Sequence, residues 1–368
     1  MSSLNRYGND WVLNEADLQS IAIGAGILGT GGGGSTYLAF LQVREQMRAG
    51  RTVRVRPLSD LIANDCVLPL GGIGAPTVGI ERMDSGDEGK ALVAAIESVT
   101  GEKVTAVIAD EIGGGNGLVP MVTAAQLDLP VVDGDGMGRA FPETQMTSFF
   151  ICGQATAPAA LTDACGNSLV VTHATSATQL ESMMRAATIT MGCSAMMSTA
   201  PMNGSFTAQY AIPGTLSQSW KLGNAVLSVG EEKRDPVAAI VEQARGIHLL
   251  TGKVVDVERR IDGGFVRGNL RIDGIDSDSG RTLMIDLQNE YLVAREEDHI
   301  HAMVPDLVCI VDAESGRAIG TEEQRYGLRV AVIVLPAPAL LLTPVALESV
   351  GPRAFGYEFD YTAGVSCG

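Results

Sequence analysis

The chain has 368 residues, 46% of them hydrophobic, with 43 acidic against 26 basic side chains and a net charge of −17. That length and apolar content exclude a disordered or fibrous protein and suit two cores rather than one. The acidic balance, with no Lys/Arg-rich run interleaved with aromatics, argues against a nucleic-acid partner.

The N-terminus carries no basic start followed by an apolar core, so a secretory signal is not expected. Six scattered cysteines without a CxxC pair read as reduced thiols of a cytoplasmic protein. Asn14 caps a helix with Glu15 and Asp17 in its first turn and Leu18, Ile21 and Ala25 on its apolar face. Within it, Gly24-Ala25-Gly26-Ile27-Leu28-Gly29 matches GxGxxG, but a helical pattern rather than a strand precedes it, so neither a nicotinamide nor a flavin is expected. The next stretch, Gly29 to Ser35, opens a helix over 36–49 with Tyr37, Phe40, Leu41 and Met47 as its buried positions. Amides at a helix N-terminus suit an anion or a developing negative charge, which makes Gly31, Gly32, Gly33 and Gly34 candidate substrate-binding residues; the structural alternative is a hinge between two helices. The stretch lacks the GK[ST] ending of a P-loop, so ATP is not indicated.

From residue 53 the pattern becomes α/β, with strands at 53–55, 66–70, 104–109, 131–133 and 149–152 and helices near 87–99 and 118–127. That alternation predicts a largely parallel sheet. Three of its strands run into glycine-rich turns: Gly71 to Pro76, Asp110 to Gly117, and Asp133 to Gly138, the last followed by Arg139 and Glu143. Carboxyl ends of neighbouring parallel strands form the crevice where ligands bind, so Glu111, Asn116, Asp133, Asp135 and Arg139 are expected to share one site. Three carboxylates so close need a cation among them, either Arg139 or a divalent metal such as zinc or manganese on Asp133 and Asp135.

Beyond residue 165 a smaller α/β segment follows, with a strand at 169–172, helices at 179–188, 213–226 and 236–245, and a Met-rich stretch at 191–202 around Cys193. Cys193 is a candidate nucleophile or an inert thiol, and His173, just after a strand, a candidate base or a core histidine. After Gly246, strands at 253–259, 265–272, 283–287, 291–294, 307–311 and 328–335, with turns at Asp262-Gly263-Gly264, Asp273-Gly274 and Ser279-Gly280, predict an antiparallel β domain. The His299-Ile300-His301 pair has zinc-binding spacing but stands in a polar hairpin. The apolar run 330–347 is long enough to span a membrane, but Pro336, Pro338 and Pro344 interrupt it, so no membrane association is expected. The fold class is therefore α/β: an N-terminal domain over 1–165 with a mixed or mostly parallel sheet, then a C-terminal domain over 166–368 divided into an α/β segment (166–246) and a β-rich part (247–368). A tight junction holding the site, and a homo-oligomer, are expected.

Three segments, Leu28 to Gly34, Glu111 to Gly117 and Val132-Asp133-Gly134-Asp135-Gly136-Met137-Gly138-Arg139-Ala140-Phe141-Pro142-Glu143, resemble successive hallmarks of the DUF917 family of S-methyl thiohydantoin desulfurase-like proteins. Gln288-Asn289-Glu290, Val304-Pro305-Asp306-Leu307 and Gly351 to Tyr357 resemble further family segments. The resemblance implies hydrolysis of an S-methylated thiohydantoin to hydantoin and methanethiol, or an accessory, ligand-sensing role beside hydantoinase or oxoprolinase subunits. For the hydrolysis, Glu111, Asp133, Asp135, Cys193 and His173 are candidate catalytic residues, and Asn116 and Arg139 join the glycine amides in binding the ring.

Overall fold

Asn14 caps the first helix as its spacing predicts, accepting from the amides of Ala16 and Asp17 while Asp17 accepts from the Asn14 amide. The computed structural model describes residues 8–75, 78, 81–232, 234–262 and 265–364; Pro76, the Gly263-Gly264 turn, Cys367 and residues 1–7 lie outside the described residues. Strand β1 (Trp11–Val12) leads into α1 (Glu15–Leu28) and α2 (Thr36–Arg48). Then β2 (Arg54–Pro57), β3 (Cys66–Gly74), α3 (Glu88–Thr100), β4 (Ala106–Ala109), α4 (Val119–Leu127) and β5 (Pro130–Asp135) follow in the expected alternation. The strands β2, β5, β4 and β3 lie side by side and parallel, with Leu70 opposite Ala109 and Ala109 opposite Asp135, so three strand ends come level. Both faces of β4 are covered, which is why it reads as an unbroken apolar run.

Two local expectations are corrected. Residues 149–152 do not extend the sheet but form the helical turn α5 (Ser148–Ile151), capped by Thr147 accepting the Phe150 amide. An apolar run this short has no period that separates strand from helix. On α2, Tyr37 is 66% exposed, and Ala39 and Val43 fill the buried face instead.

The expected boundary after residue 165 falls inside a hairpin, β6 (Ala159–Thr162) with β7 (Ser168–Val171). After α6 (Ala177–Thr190), β8 (Ser194–Ser198) enters between β3 and β6, antiparallel to both. The Met-rich stretch is thus an interior strand of the first sheet, which continues through β9 (Met202–Asn203), α7 (Gly204–Tyr210) and β10 (Ile212–Pro213). Next, α8 (Thr215–Glu232) crosses α1 so closely that a Cβ on Gly24 would lie 1.9 Å from the Ser219 carbonyl oxygen, and one on Gly223 1.8 Å from that of Ser20. The GxGxxG match is therefore a helix-packing surface.

After α9 (Pro236–Ala244) the chain builds an antiparallel sheet from β11 (Ile247–Asp262), β12 (Phe265–Gly274), β13 (Thr282–Gln288), β14 (Glu290–Glu296), β15 (His299–Met303), β16 (Leu307–Asp312) and β17 (Arg329–Leu335). Their order is β15-β14-β13-β12-β11-β17-β16. The run 330–347 is thus β17, an irregular crossing and the start of α10 (Pro344–Val350), and among the described residues no helix is long and apolar enough to cross a membrane.

One apolar core joins Leu18, Ile21 and Ile27 of α1 to Cys309 and Ile333 of the second sheet. Arg139, which is fully buried, adds a polar tie between the halves. Its Nε donates to the Ala140 carbonyl, Nη1 to those of Pro305 (3.3 Å) and Asp306 (2.8 Å), and Nη2 to Thr30 Oγ1 (2.9 Å) and the Tyr291 carbonyl (3.2 Å).

Replacing Arg139 with Met leaves those carbonyls unpaired in the core, and a loss of about 3–5 kcal/mol in denaturant unfolding is expected. Gly223→Ala forces α8 off α1, and roughly 1–3 kcal/mol of destabilisation is expected in the same measurement. Wild-type stability in either variant would remove that contact from the account.

Candidate active site

Level strand ends leave a cavity of about 220 Å³ between the two halves. Its walls come from Gly33 and Gly34 before α2, Gly71 to Gly74 at the end of β3, Asp110, Glu111 and Asn116 after β4, Phe141 and Thr144 after β5, Met196 and Met197 of β8, and Asn289 and Glu290 from the β13–β14 turn. The glycine loops meet through their backbones: the amides of Gly115 and Asn116 donate to the carbonyls of Gly34 and Gly33, and a Cβ on Gly33 would sit 2.0 Å from the Gly113 carbonyl oxygen. Only glycine permits that approach.

The acids divide by what they bond. Asp135 Oδ2 accepts from the amides of Ile112 (2.8 Å), Met137 (3.0 Å) and Gly138 (2.7 Å), so it braces two loops and lies outside the cavity wall. Asp133 accepts the amide and hydroxyl of Ser217 at the start of α8 and also lies outside. Glu111 does line the cavity, with Oε1 accepting from Asn116 Nδ2 and Oε2 from the Phe141 amide. Asn116 Oδ1 accepts the Gly72 amide, so this side chain ties the β3 and β4 ends together and fixes Glu111. Asp110, by contrast, is 5% exposed, lines the cavity, and has no partner for either oxygen among the described residues. Glu290 is 3% exposed, lines the same cavity and leaves Oε2 unpartnered.

Burial, with Asp135 nearby, raises Asp110 to about 7. Burial raises Glu111 to about 8 against the opposing bonds from Asn116 and Phe141. Asp135 rises to about 7 because burial outweighs its three amide bonds. Glu290 is pushed well up by burial and by Glu111, with Arg139 pulling the other way. Each is desolvated without a matched cation, the condition that keeps carboxyls protonated near neutrality.

Glu111, Asn116, Gly33 and Gly34 therefore line one cavity, while Asp133, Asp135, Arg139, Gly31 and Gly32 stand behind it. Gly31 and Gly32 serve close packing: a Cβ would meet the Tyr291 ring at 2.5 Å and Glu290 Oε1 at 2.2 Å. Arg139 spends all its donors on the junction and offers none to a ligand. Cys193 sits at a left-handed φ of +66° with its carbonyl accepting the Ala75 amide; its neighbour Ser194 lines the cavity and Cys193 does not. His173 is exposed beyond β7 and away from the cavity wall.

A metal on Asp133 and Asp135 does not fit these bonds, and among the described residues no group of three or more His, Cys, Asp or Glu is placed to hold one. His301 Nε2 meets Glu296 at 3.2 Å instead. The five described cysteines are unpaired.

The residues that sequence reasoning missed are Asp110 and Glu290. Asp110 stood beside Glu111 at the strand end, and its lack of partners has no sequence signal. Glu290 follows Asn289, whose φ of +57° makes the β13–β14 turn, and the sequence marks it only within the segment Gln288-Asn289-Glu290.

The fold recurs in a crystal structure of a protein from Chromobacterium violaceum, a structural-genomics target, with a TM-score of 0.81, 24% identity, and coverage of 96% of this chain and 99% of that one. No curated protein matches the sequence. The S-Me-THD-like N-terminal domain matches residues 16–173 and the S-Me-THD-like C-terminal domain residues 175–363. Matched end to end by both domains of one family, with the cavity built where they meet, the chain belongs to the S-Me-THD-like family.

Proposed function

We propose that the chain is a hydrolase of a five-membered cyclic imide or thioimidate, converting an S-methyl thiohydantoin-type ring to the hydantoin and methanethiol. The observation that carries this reading is Asp110, a buried carboxyl with both oxygens free at the wall of a junction cavity. A volume of about 220 Å³ lies below the roughly 300–1,000 Å³ of drug-sized sites, which suits one small ring. With its pKa at about 7, Asp110 is matched to proton transfer at neutral pH.

In this mechanism Asp110 takes one proton from water as the oxygen adds to the carbon bearing sulfur, and protonated Glu290 gives a proton to the ring nitrogen. Collapse breaks the C–S bond, the hydroxyl proton returns to Glu290, and Asp110 passes its proton to methanethiolate. Both acids end as they began. Glu111, held by Asn116 and the Phe141 amide, lends a further proton donor to the wall. The amides of Gly33 and Gly34, which meet no acceptor among the described residues, are free to hold a ring carbonyl.

Purified protein with S-methyl thiohydantoin is expected to release thiol, read with a thiol reagent, and Asp110→Asn to slow that release about 10²–10⁴-fold with the fold retained. A loss under roughly ten-fold would place the base elsewhere. The kcat/KM profile is expected to rise as Asp110 ionises near pH 7 and to fall at higher pH as the acid partners lose their protons.

A stability measurement tests the same cluster without turnover. Folded pKa values of about 7, 8 and 7 for Asp110, Glu111 and Asp135 exceed the unfolded values of about 4, so between pH 4 and 8 the folded state holds more protons. Stability from these groups is complete below the unfolded values and is lost as pH rises through the folded ones. Tm is expected to fall from pH 5.5 to 8.5, less steeply in Asp110→Asn; a Tm that climbs across that window contradicts buried acids.

A further inference from the structure

The cavity wall carries more acid than thiolate departure needs. Methanethiolate leaves a tetrahedral carbon without much proton assistance, yet Asp110, Glu111 and Glu290 all stand on this wall, and two of them lack partners for free oxygens. An amine leaving group has the opposite requirement, because it departs only once protonated. The wall also carries Asp84, Glu88 and Glu143, and its cation among the described residues, Arg185, is already committed to Glu181 and the Pro142 carbonyl. Such a wall repels anions and accepts rings rich in N–H donors. An ionised carboxylate with both oxygens free accepts two N–H groups, the complement of the paired N–H donors of an amidine or guanidine.

We infer that this cavity also deiminates five-membered cyclic guanidines, releasing ammonia from the ring carbon that carries the S-methyl group in the thioimidate. The inference rests on the hydrolase reading of the same site. Water adds to the guanidine carbon, with Asp110 taking one proton from it and Glu290 giving one to the exocyclic nitrogen. A second proton reaches that nitrogen from Asp110, the C–N bond breaks, ammonia leaves, and the hydroxyl proton passes to Glu290 as the carbonyl forms. The products are a hydantoin and ammonia, and both carboxyls are restored. Glu290 is fixed for this task because its side chain packs on Gly32, where a Cβ would lie 2.2 Å from Oε1.

The test gives the full chain 2-iminoimidazolidin-4-one and, separately, its N-methyl derivative creatinine, and measures ammonia release with product mass, beside thiol release from S-methyl thiohydantoin. Ammonia release is expected in the wild type. Glu290→Gln is expected to lower both ammonia and thiol release at least roughly ten-fold, since Glu290 protonates a nitrogen as water adds in either reaction. Thiol without ammonia overturns the inference and leaves the hydrolase reading standing. Ammonia without thiol keeps the inference and removes the sulfur substrate, while neither product removes both. Should Glu290→Gln unfold, the wild-type pH profiles decide. Ammonia release must fall at high pH as Glu290 deprotonates, and a profile that stays flat there overturns the role given to Glu290.

Discussion

A guanidinium shut away from water holds this protein's two halves in register. Arg139 has five N–H donors, and its five bonds run to its own loop, to the glycine loop at Thr30, and to the second sheet at Tyr291, Pro305 and Asp306. Burial lowers its pKa to about 10, with Glu290 and Asp306 among the groups opposing that shift, so it stays charged at neutral pH. A buried charge costs several kcal/mol unless it is bonded, which makes one geometry of three segments far better than any displaced one. The planar fork supplies directions that a lysine cannot.

That fixed register is what brings glycine to glycine. With the Thr30 hydroxyl accepting from Arg139 and its carbonyl accepting the Tyr291 amide, the following loop runs against residues 113–116 with no space for a Cβ at Gly31, Gly32 or Gly33. Backbone stacked on backbone excludes water from the acids that flank it, and their desolvation follows from the packing. The buried acids therefore cost stability at this point: Asp110 and Glu290 would cost less on the surface, and inside their proton affinity rises.

The alternation of strands and helices was legible up to β5, because a parallel sheet covered on both faces leaves long apolar runs between glycine punctuation. The crevice could be placed from Glu111 and Asn116 at one strand end. What the sequence did not carry was pairing at long range. The strand β8 inserts between β3 and β6 from more than a hundred residues beyond β3, and a Met-rich stretch gives no hint of that partner. The acids of the DGDG tip were conspicuous in sequence and are placed as braces, since Asp135 Oδ2 accepts three amides and both oxygens of Asp133 meet Ser217 of α8.

Asp110 and Asp135 make the distinction sharp. Both are carboxyls at the ends of adjacent parallel strands, both are buried, and both rise to about 7. One has three amides on a single oxygen and cannot turn to a ligand without unbonding two loops; the other has none. Equal proton affinity thus arises from unequal surroundings, and only the unbonded group is free to lose and regain its proton while the loops stay put. Occupancy by hydrogen bonds, rather than acidity, separates the acid that shapes this cavity from the acid that faces its contents.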